Sequence, residues 1–268
     1  MTHTKNPTAR GPAKARPSIT SVLDARIELL LTEIEATVFW KELISPKAKP
    51  EFVCAFLREV YLEIVSYQQH VIEAAIASIG QMPRSMPVRM IKALLRHQAE
   101  EFDHGEMALR DYVALGGSAE YAQHGHTIST ASFSVSAVWW MITKLRDPFA
   151  YLGALYPFEG LTPIVSKRVM AILAKKGFPD KAKEYLTFHS TEDEKHAALV
   201  KAMIEETVKR YPQAYDSVVN GMERFLAVYP LPVWNAAYKR AKTALGRWSQ
   251  TTQIPLNPQN QKHTNQTI

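Results

Sequence analysis

An all-α fold arranged as a single helical bundle is what this chain predicts, and three observations predict it. Long segments repeat apolar residues at three- and four-residue intervals, the period of an amphipathic helix. Strand signals are nearly absent. No Gly-rich phosphate loop, dinucleotide-binding fingerprint or GxSxG elbow interrupts the pattern, which lowers the case for the chemistries that depend on them.

The helices follow in order. The first is predicted over residues 21–44, with Leu29, Leu30, Ile34 and Val38 along one stripe. The second starts at Pro50, suited to a first helical position because an N–H is not needed there, and ends at Ile79, where Gly80 can cap it. The third spans residues 87–115 and is stopped by Gly116-Gly117. A segment over 132–145 stops ahead of Pro148, and the next, 149–174, contains Pro157 and Pro163, either of which can bend it. The sixth runs over 180–210, closed by Pro212, and segments 213–228 and 232–248 complete the set. There is no internal repeat and no mid-chain linker, so residues 18–249 read as one domain. Residues 1–17, rich in Pro, Thr, Lys and Arg, read as a disordered leader, and residues 250–268, dominated by Asn, Gln and Thr, as a disordered tail.

With 46% hydrophobic and 22% charged residues, the composition is that of an ordinary globular protein. The net charge of +6 invites a nucleic-acid partner, but its location argues against one. Lys5, Arg10, Lys14 and Arg16 precede the first acid, Asp24, and Lys262 stands without an acid in the tail. The body between is close to neutral and offers a polyanion no footprint. Cys54 is the only cysteine, which excludes a disulfide framework and a thiolate metal cluster and fits a reducing cytoplasm. No stretch approaches the ~18 apolar residues of a membrane span, and the N-terminus lacks the apolar core of a signal peptide. A cytoplasmic protein is expected.

The chemistry sits in two segments and one isolated acid. FHSTEDEKHAAL places His189, Asp193 and His196 at i, i+4 and i+7, within about 60° of one another on a helical face. HQAEEFDHGEMAL places Glu101 and His104 at i, i+3, again on one face. A carboxylate and an imidazole at that spacing, supplied by two helices, is how helical bundles hold two irons in their core. Glu159, in LYPFEGLTP, is a carboxylate amid apolar neighbours, costly there unless partnered. Three histidines and three carboxylates make a mixed N/O shell for two metal ions, suited to iron or manganese, with zinc allowed on ligand type alone. Each fragment by itself is common on solvated helices; their coincidence in one helical domain predicts a site. Glu63, Tyr67 and His70, at i, i+4 and i+7 on the second helix, either face the same cavity or form a partly exposed face. His97, one turn before Glu101, reads as a neighbour of the ligands or as a surface histidine. His124 and His126 fall in an expected loop and are assigned nothing.

These positions resemble the haem-oxygenase-like non-haem diiron oxidases and oxygenases, relatives of the thiaminase II fold that use iron instead of haem. The resemblance spans about residues 20–225, and its specific part is a Glu-x2-His, a middle Glu and a late His-x3-Asp-x2-His. It implies a haem-oxygenase-like helical bundle with two irons per chain and dioxygen as co-substrate. The implied ligands are Glu101, His104, Glu159, His189, Asp193 and His196. It implies action on a small organic acid, amino acid or fatty acid, by oxidative decarboxylation or carbon–carbon cleavage. The short Glu-x2-His spacing is nearest to the members that turn fatty acids into terminal alkenes. A second resemblance competes, to the ferritin-like diiron four-helix bundle that includes arylamine N-oxygenases. That pattern would use Glu63, Glu101, His104, Glu159, His189 and His196, but it expects glutamate where Asp193 stands. Glu63 discriminates: a ligand in the ferritin-like case, optional in the other.

Expected partners are a small-molecule substrate, an external electron donor and a second copy of the chain, dimers being the usual default. Phe133, Trp139, Trp140 and Met141 are candidates to wall an apolar substrate channel, if they are not simply core. Lys144, Arg146, Lys167 and Arg168 are candidates to receive a substrate carboxylate. Two other classes of reading remain. One is a metal-free hydrolase of thiaminase II type, for which Cys54 is the sole nucleophile. The other is a non-catalytic helical adaptor using residues 233–248, where Trp234, Tyr238, Leu245 and Trp248 alternate with Lys239, Arg240, Lys242 and Arg247. That basic amphipathic pattern suits peripheral contact with a membrane surface or a partner helix. Metal content separates the diiron reading from both.

Overall fold

Thr37 divides the first predicted helix in two. Its backbone is extended, with ψ at 155°, its hydroxyl donates to the Ile34 carbonyl at 2.6 Å, and its Oγ1 accepts from the Trp40 N–H at 3.2 Å. One residue thereby ends α1 (Ile19–Ala36) and starts α2 (Val38–Ile44). The buried stripe of α1 is Leu23, Ile27, Leu30 and Ile34, whereas Leu29 and Val38, expected on it, are exposed. The coordinates are a computed structural model and describe residues 16–248 apart from 177 and 179. The predicted tail and the predicted leader up to residue 15 lie outside the described residues. Arg16 and Pro17, the last two leader residues, are held against Asp216 and Tyr215.

The long second helix is observed as predicted, α3 (Pro50–Ile79), with Gly80 at its end in an ordinary right-handed conformation. The third is broken into α4 (Val88–Glu100) and α5 (His104–Ala114), separated by Glu101, Phe102 and Asp103. Gly116, at φ +85°, ends α5 where only a residue tolerant of the left-handed region fits. A single π-helical turn, Tyr121–Gly125, occupies the expected loop. Then come α6 (Thr130–Lys144), capped by the Ser129 hydroxyl, and α7 (Pro148–Lys175), one helix that runs through both internal prolines.

The sixth predicted helix is three pieces: a 3₁₀ turn (Asp180–Ala182), α8 (Glu184–His189) and α9 (Asp193–Arg210). Its break has a local cause. The Ser190 and Thr191 hydroxyls donate back to the Thr187 and Phe188 carbonyls, at 2.7 and 3.2 Å, competing with continued helix. Two last helices, α10 (Ala214–Leu226) and α11 (Leu231–Trp248), complete eleven among the described residues, with no strand.

Two continuous helices organise the rest. α3 is flanked by α5, α6 and α11, and α7 by α8, α9 and α10. Their apolar faces share one core, in which Trp139, Tyr61, Tyr67 and Tyr151 are among the most enclosed side chains. α7 and α10 meet backbone to backbone: a Cβ on Gly153 would lie 1.8 Å from the Val218 carbonyl oxygen, and one on Gly221 2.0 Å from that of Ala150. The apolar side of α11 packs on α3 through Val233, Ala237 and Ala241. Arg240 pairs with Glu59 and Glu63, and Lys242 with Glu42, so packing occupies much of the face read as peripheral. No helix among the described residues is long and apolar enough to cross a membrane.

The glycine contact gives the first prediction. Gly221→Ala forces α7 and α10 apart and is expected to destabilise the fold by about 1–3 kcal/mol or more, read as a lower urea midpoint. A variant as stable as the parent would show that the two backbones do not touch.

Candidate metal centre

The two helix breaks bring the predicted residues together. Glu101 follows the last residue of α4, and His104 opens α5. His189 ends α8, Asp193 opens α9, and His196 stands one turn further on. The spacing arithmetic assumed two unbroken helices; instead the ligand candidates sit at helix ends, where side chains from one segment can converge. Glu159 projects from the middle of α7 and is 4% exposed.

Two donor sets result, and Glu101 belongs to both. Its Oε2 lies 2.6 Å from His104 Nδ1, which in turn lies 3.1 Å from His189 Nε2. Its Oε1 faces the other set, 3.4 Å from His196 Nδ1 and 3.9 Å from His97 Nε2. Glu159 closes that second set, 3.1 Å from His97 Nε2 and 3.6 Å from His196 Nδ1. Asp193 stands at its edge, with Oδ1 3.8 Å from His196 Nδ1. His97 is therefore an inner residue, 1% exposed, and not a surface histidine. His70 is exposed and faces away.

Electrostatics mark the cluster. Burial and the adjacent His104 ring hold His189 down to about 4, so it is neutral near pH 7. Burial also opposes charge on His196, but the Glu101 and Glu159 carboxylates outweigh it and lift its pKa to about 11. Burial, then the charges of Glu159 and Glu101, push the Asp193 carboxyl far above the usual range. Of eight buried side-chain N and O atoms without a hydrogen-bond partner among the described residues, five lie here: His97 Nε2, Glu101 Oε1, His104 Nε2, Asp193 Oδ1 and His196 Nδ1. Imidazole nitrogens and carboxylate oxygens crowded together with few well-formed hydrogen bonds are what a metal ion satisfies, and the set fits iron.

Neighbouring residues bear on the ligand candidates. The His189 Nδ1–H donates to the Tyr185 carbonyl at 2.6 Å, which leaves Nε2 unprotonated and turned toward His104 Nδ1, 3.1 Å away. The buried Asp111 carboxylate accepts from the Glu184 and Tyr185 N–H groups, both at 3.0 Å, and so caps α8 from across the bundle. Burial raises its pKa to about 6. Gln98 bonds His97 Nδ1 at 2.9 Å, and Gln68 donates to the Glu101 carbonyl at 3.4 Å. Asp111 stands two turns after His104 on the same face, the one sequence signal that marks it.

Other candidates fall outside. Glu63 is fully buried but faces away from the cluster, bonded to Ser129, Ser132 and Arg240. Tyr67 is buried among Phe158 and Tyr229. Trp139 lines a small cavity at the cluster, whereas Phe133 and Met141 are exposed and Trp140 is half-buried. Lys144, Arg146, Lys167 and Arg168 all lie on the surface, Lys167 with Glu194 and Arg168 with Glu35. The Cys54 thiol is buried against the Leu115 carbonyl and its pKa is raised by that burial, the reverse of what activates a nucleophile.

Fold and cluster together define an all-helical protein of haem-oxygenase-like architecture with a buried N/O donor set. A solved domain of unknown function with a heme oxygenase-like fold from Shewanella denitrificans superposes with a TM-score of 0.74 at 22% identity, over 88% of this chain and 98% of that one. A TenA homolog from Pseudomonas syringae pv. tomato superposes at 0.61 and 14% identity, over 90% of this chain and all of the other. The sequence pattern of the iron-containing redox enzymes matches residues 59–229, and the chain belongs to that family. No curated protein matches it.

The cap on α8 is testable. Asp111→Ala is expected to cost about 1–2 kcal/mol of stability and to weaken Co(II) binding about 10–100-fold in a calorimetric titration. Unchanged affinity would show that His189 does not depend on this cap.

Proposed function

We propose that the chain is a dioxygen-dependent non-haem diiron oxidase or oxygenase acting on a small organic acid, amino acid or fatty acid. One observation carries the reading: Glu101 turns one carboxylate oxygen to each of two donor sets. Glu101, His104 and His189 would hold one ion. Glu101, Glu159 and His196 would hold the other, with Asp193 and His97 at its border. Bound iron supplies electron transfer to dioxygen. The electrons come from the substrate or from an external donor.

The chain's own groups do the rest. Tyr185 lies flat on His189, with ring centres 3.9 Å apart. Tyr185 and Thr162 line both the small cavity at the cluster and a larger apolar one of about 70 Å³. Phe39, Trp40, Leu161, Val169 and Trp234 wall that second cavity, whose lining among the described residues includes no lysine or arginine. An apolar substrate body suits these walls, and its polar end would then lie toward Tyr185 and the metal side. Burial excludes bulk water from that end.

Anaerobic loading with Fe(II) is expected to reach about two ions per chain. Glu101→Ala should lose both, because it belongs to both sets, while Glu159→Ala should lose one. Mössbauer spectra before and after dioxygen would show one ion or two, and iron content unaffected by Glu101→Ala would sink the reading.

Binding should also follow pH. Because His196 holds its proton up to about 11, a metal arriving there displaces a proton, and apparent affinity rises with pH across the neutral range. Calorimetry in buffers of different ionisation enthalpy measures the released protons; their absence would mean that His196 is not a ligand.

A further inference from the structure

The centre's own cavity borders two others through different residues. It meets the apolar one at Thr162 and Tyr185. The second is a surface groove of about 540 Å³ between α3 and α5, and Gln68 is the residue that lines both this groove and the centre's cavity.

Gln68 has the attributes of a movable barrier. It is 9% exposed and lines both spaces. Its amide donates one long hydrogen bond, 3.4 Å, to the Glu101 carbonyl, a weak restraint. Gly105 faces it from α5, where a Cβ would come within 3.5 Å of Gln68 Cβ and anything larger would press on the side chain. The groove's charge favours cations. Asp103 and Glu106 line it exposed, while Arg110, its basic residue, is held by the two hydrogen bonds it donates to Glu184, at 2.7 and 2.8 Å. The apolar cavity offers a hydrated ion no such path.

We propose that the α3–α5 groove is the route by which hydrated ferrous ion enters and leaves the centre, and that Gln68 is its door. The proposal rests on the diiron reading and assigns a use to a surface that the reading leaves without one. Substrate would then be lodged through the apolar side while metal exchanges through the polar side.

The test uses the full chain loaded anaerobically with Fe(II), with release to bipyridine followed by absorbance. Three variants are compared with the parent, each checked for melting temperature and iron content at equilibrium. Gln68→Ala opens the door and is expected to speed release by roughly a factor of ten. Gln68→Phe fills it and is expected to slow release. Val165→Phe fills the apolar cavity and is expected to leave release unchanged. Parent-like rates in both Gln68 variants would overturn the route, as would slowing by Val165→Phe equal to that by Gln68→Phe. Loss of iron at equilibrium in a folded Gln68→Ala would make Gln68 a support for Glu101, not a door. A parent chain that takes up no iron would overturn the diiron reading itself, a result visible before any variant is made.

Discussion

Two carboxylates, Glu101 and Glu159, stand within a few ångströms of His97, His104 and His196 in the buried interior of the bundle. Charge placed there is costly unless it is paired at close range. Close pairing from several helices is hard to achieve with straight rods, because ligands on one straight helix are spread along its axis. Two of the three segments that bear candidate ligands break at the cluster, after Glu100 and after His189. Each break frees backbone groups that need partners. Gln68 meets the Glu101 carbonyl, Asp111 meets the first N–H groups of α8, and Ser190 and Thr191 bond its last turn.

The broken segments need a rigid frame, and α3 and α7 supply it. α7 remains one helix despite Pro157 and Pro163, and it carries Glu159 into the cluster. Its contact with α10 through Gly153 and Gly221 is close enough to exclude a single methyl group. A helix pinned at that distance has little freedom to slide, so Glu159 is held by backbone packing. Glu101 and the late histidines are instead held by side-chain bonds. The centre thus joins one fixed wall to two adjustable ones.

That division explains what could be read from the sequence. The helical class, the limits of α3 and the six principal positions follow from residue type and spacing, and the structure brings five of those six into the two donor sets, with Asp193 at their edge. The breaks did not follow, because i, i+3 and i, i+4, i+7 spacings fit an unbroken helix equally well. The sequence leaves His97 open between a neighbour of the ligands and a surface histidine, because one histidine a turn away from a polar run carries no periodic signal. Glu63 misled in the opposite sense. A buried glutamate in phase with Tyr67 looks like a ligand until Arg240, nearly two hundred residues later, is seen beside it. Contacts between α11 and α3, like those of Gly153 with Val218 and of Gly221 with Ala150, are long-range pairings that local patterns do not encode.

The charges of the proposed centre bear on what it would bind. Glu101, Glu159 and Asp193 supply three negative charges when ionised, and two ferrous ions would leave one unit of positive charge beside the apolar cavity. Glu100, near His196 but half exposed, is screened by solvent and offsets little of it. Among the described residues the cavity wall includes no lysine or arginine, so a neutral apolar molecule would leave that charge unmet. A molecule with an apolar body and a single carboxylate would satisfy wall and centre together. The basic residues first considered for that role, Lys144, Arg146, Lys167 and Arg168, lie on the surface, which leaves the proposed metal charge as the counter-ion. Acid recognition would then depend on metal occupancy, with substrate affinity falling in the iron-free chain even though the cavity keeps its shape.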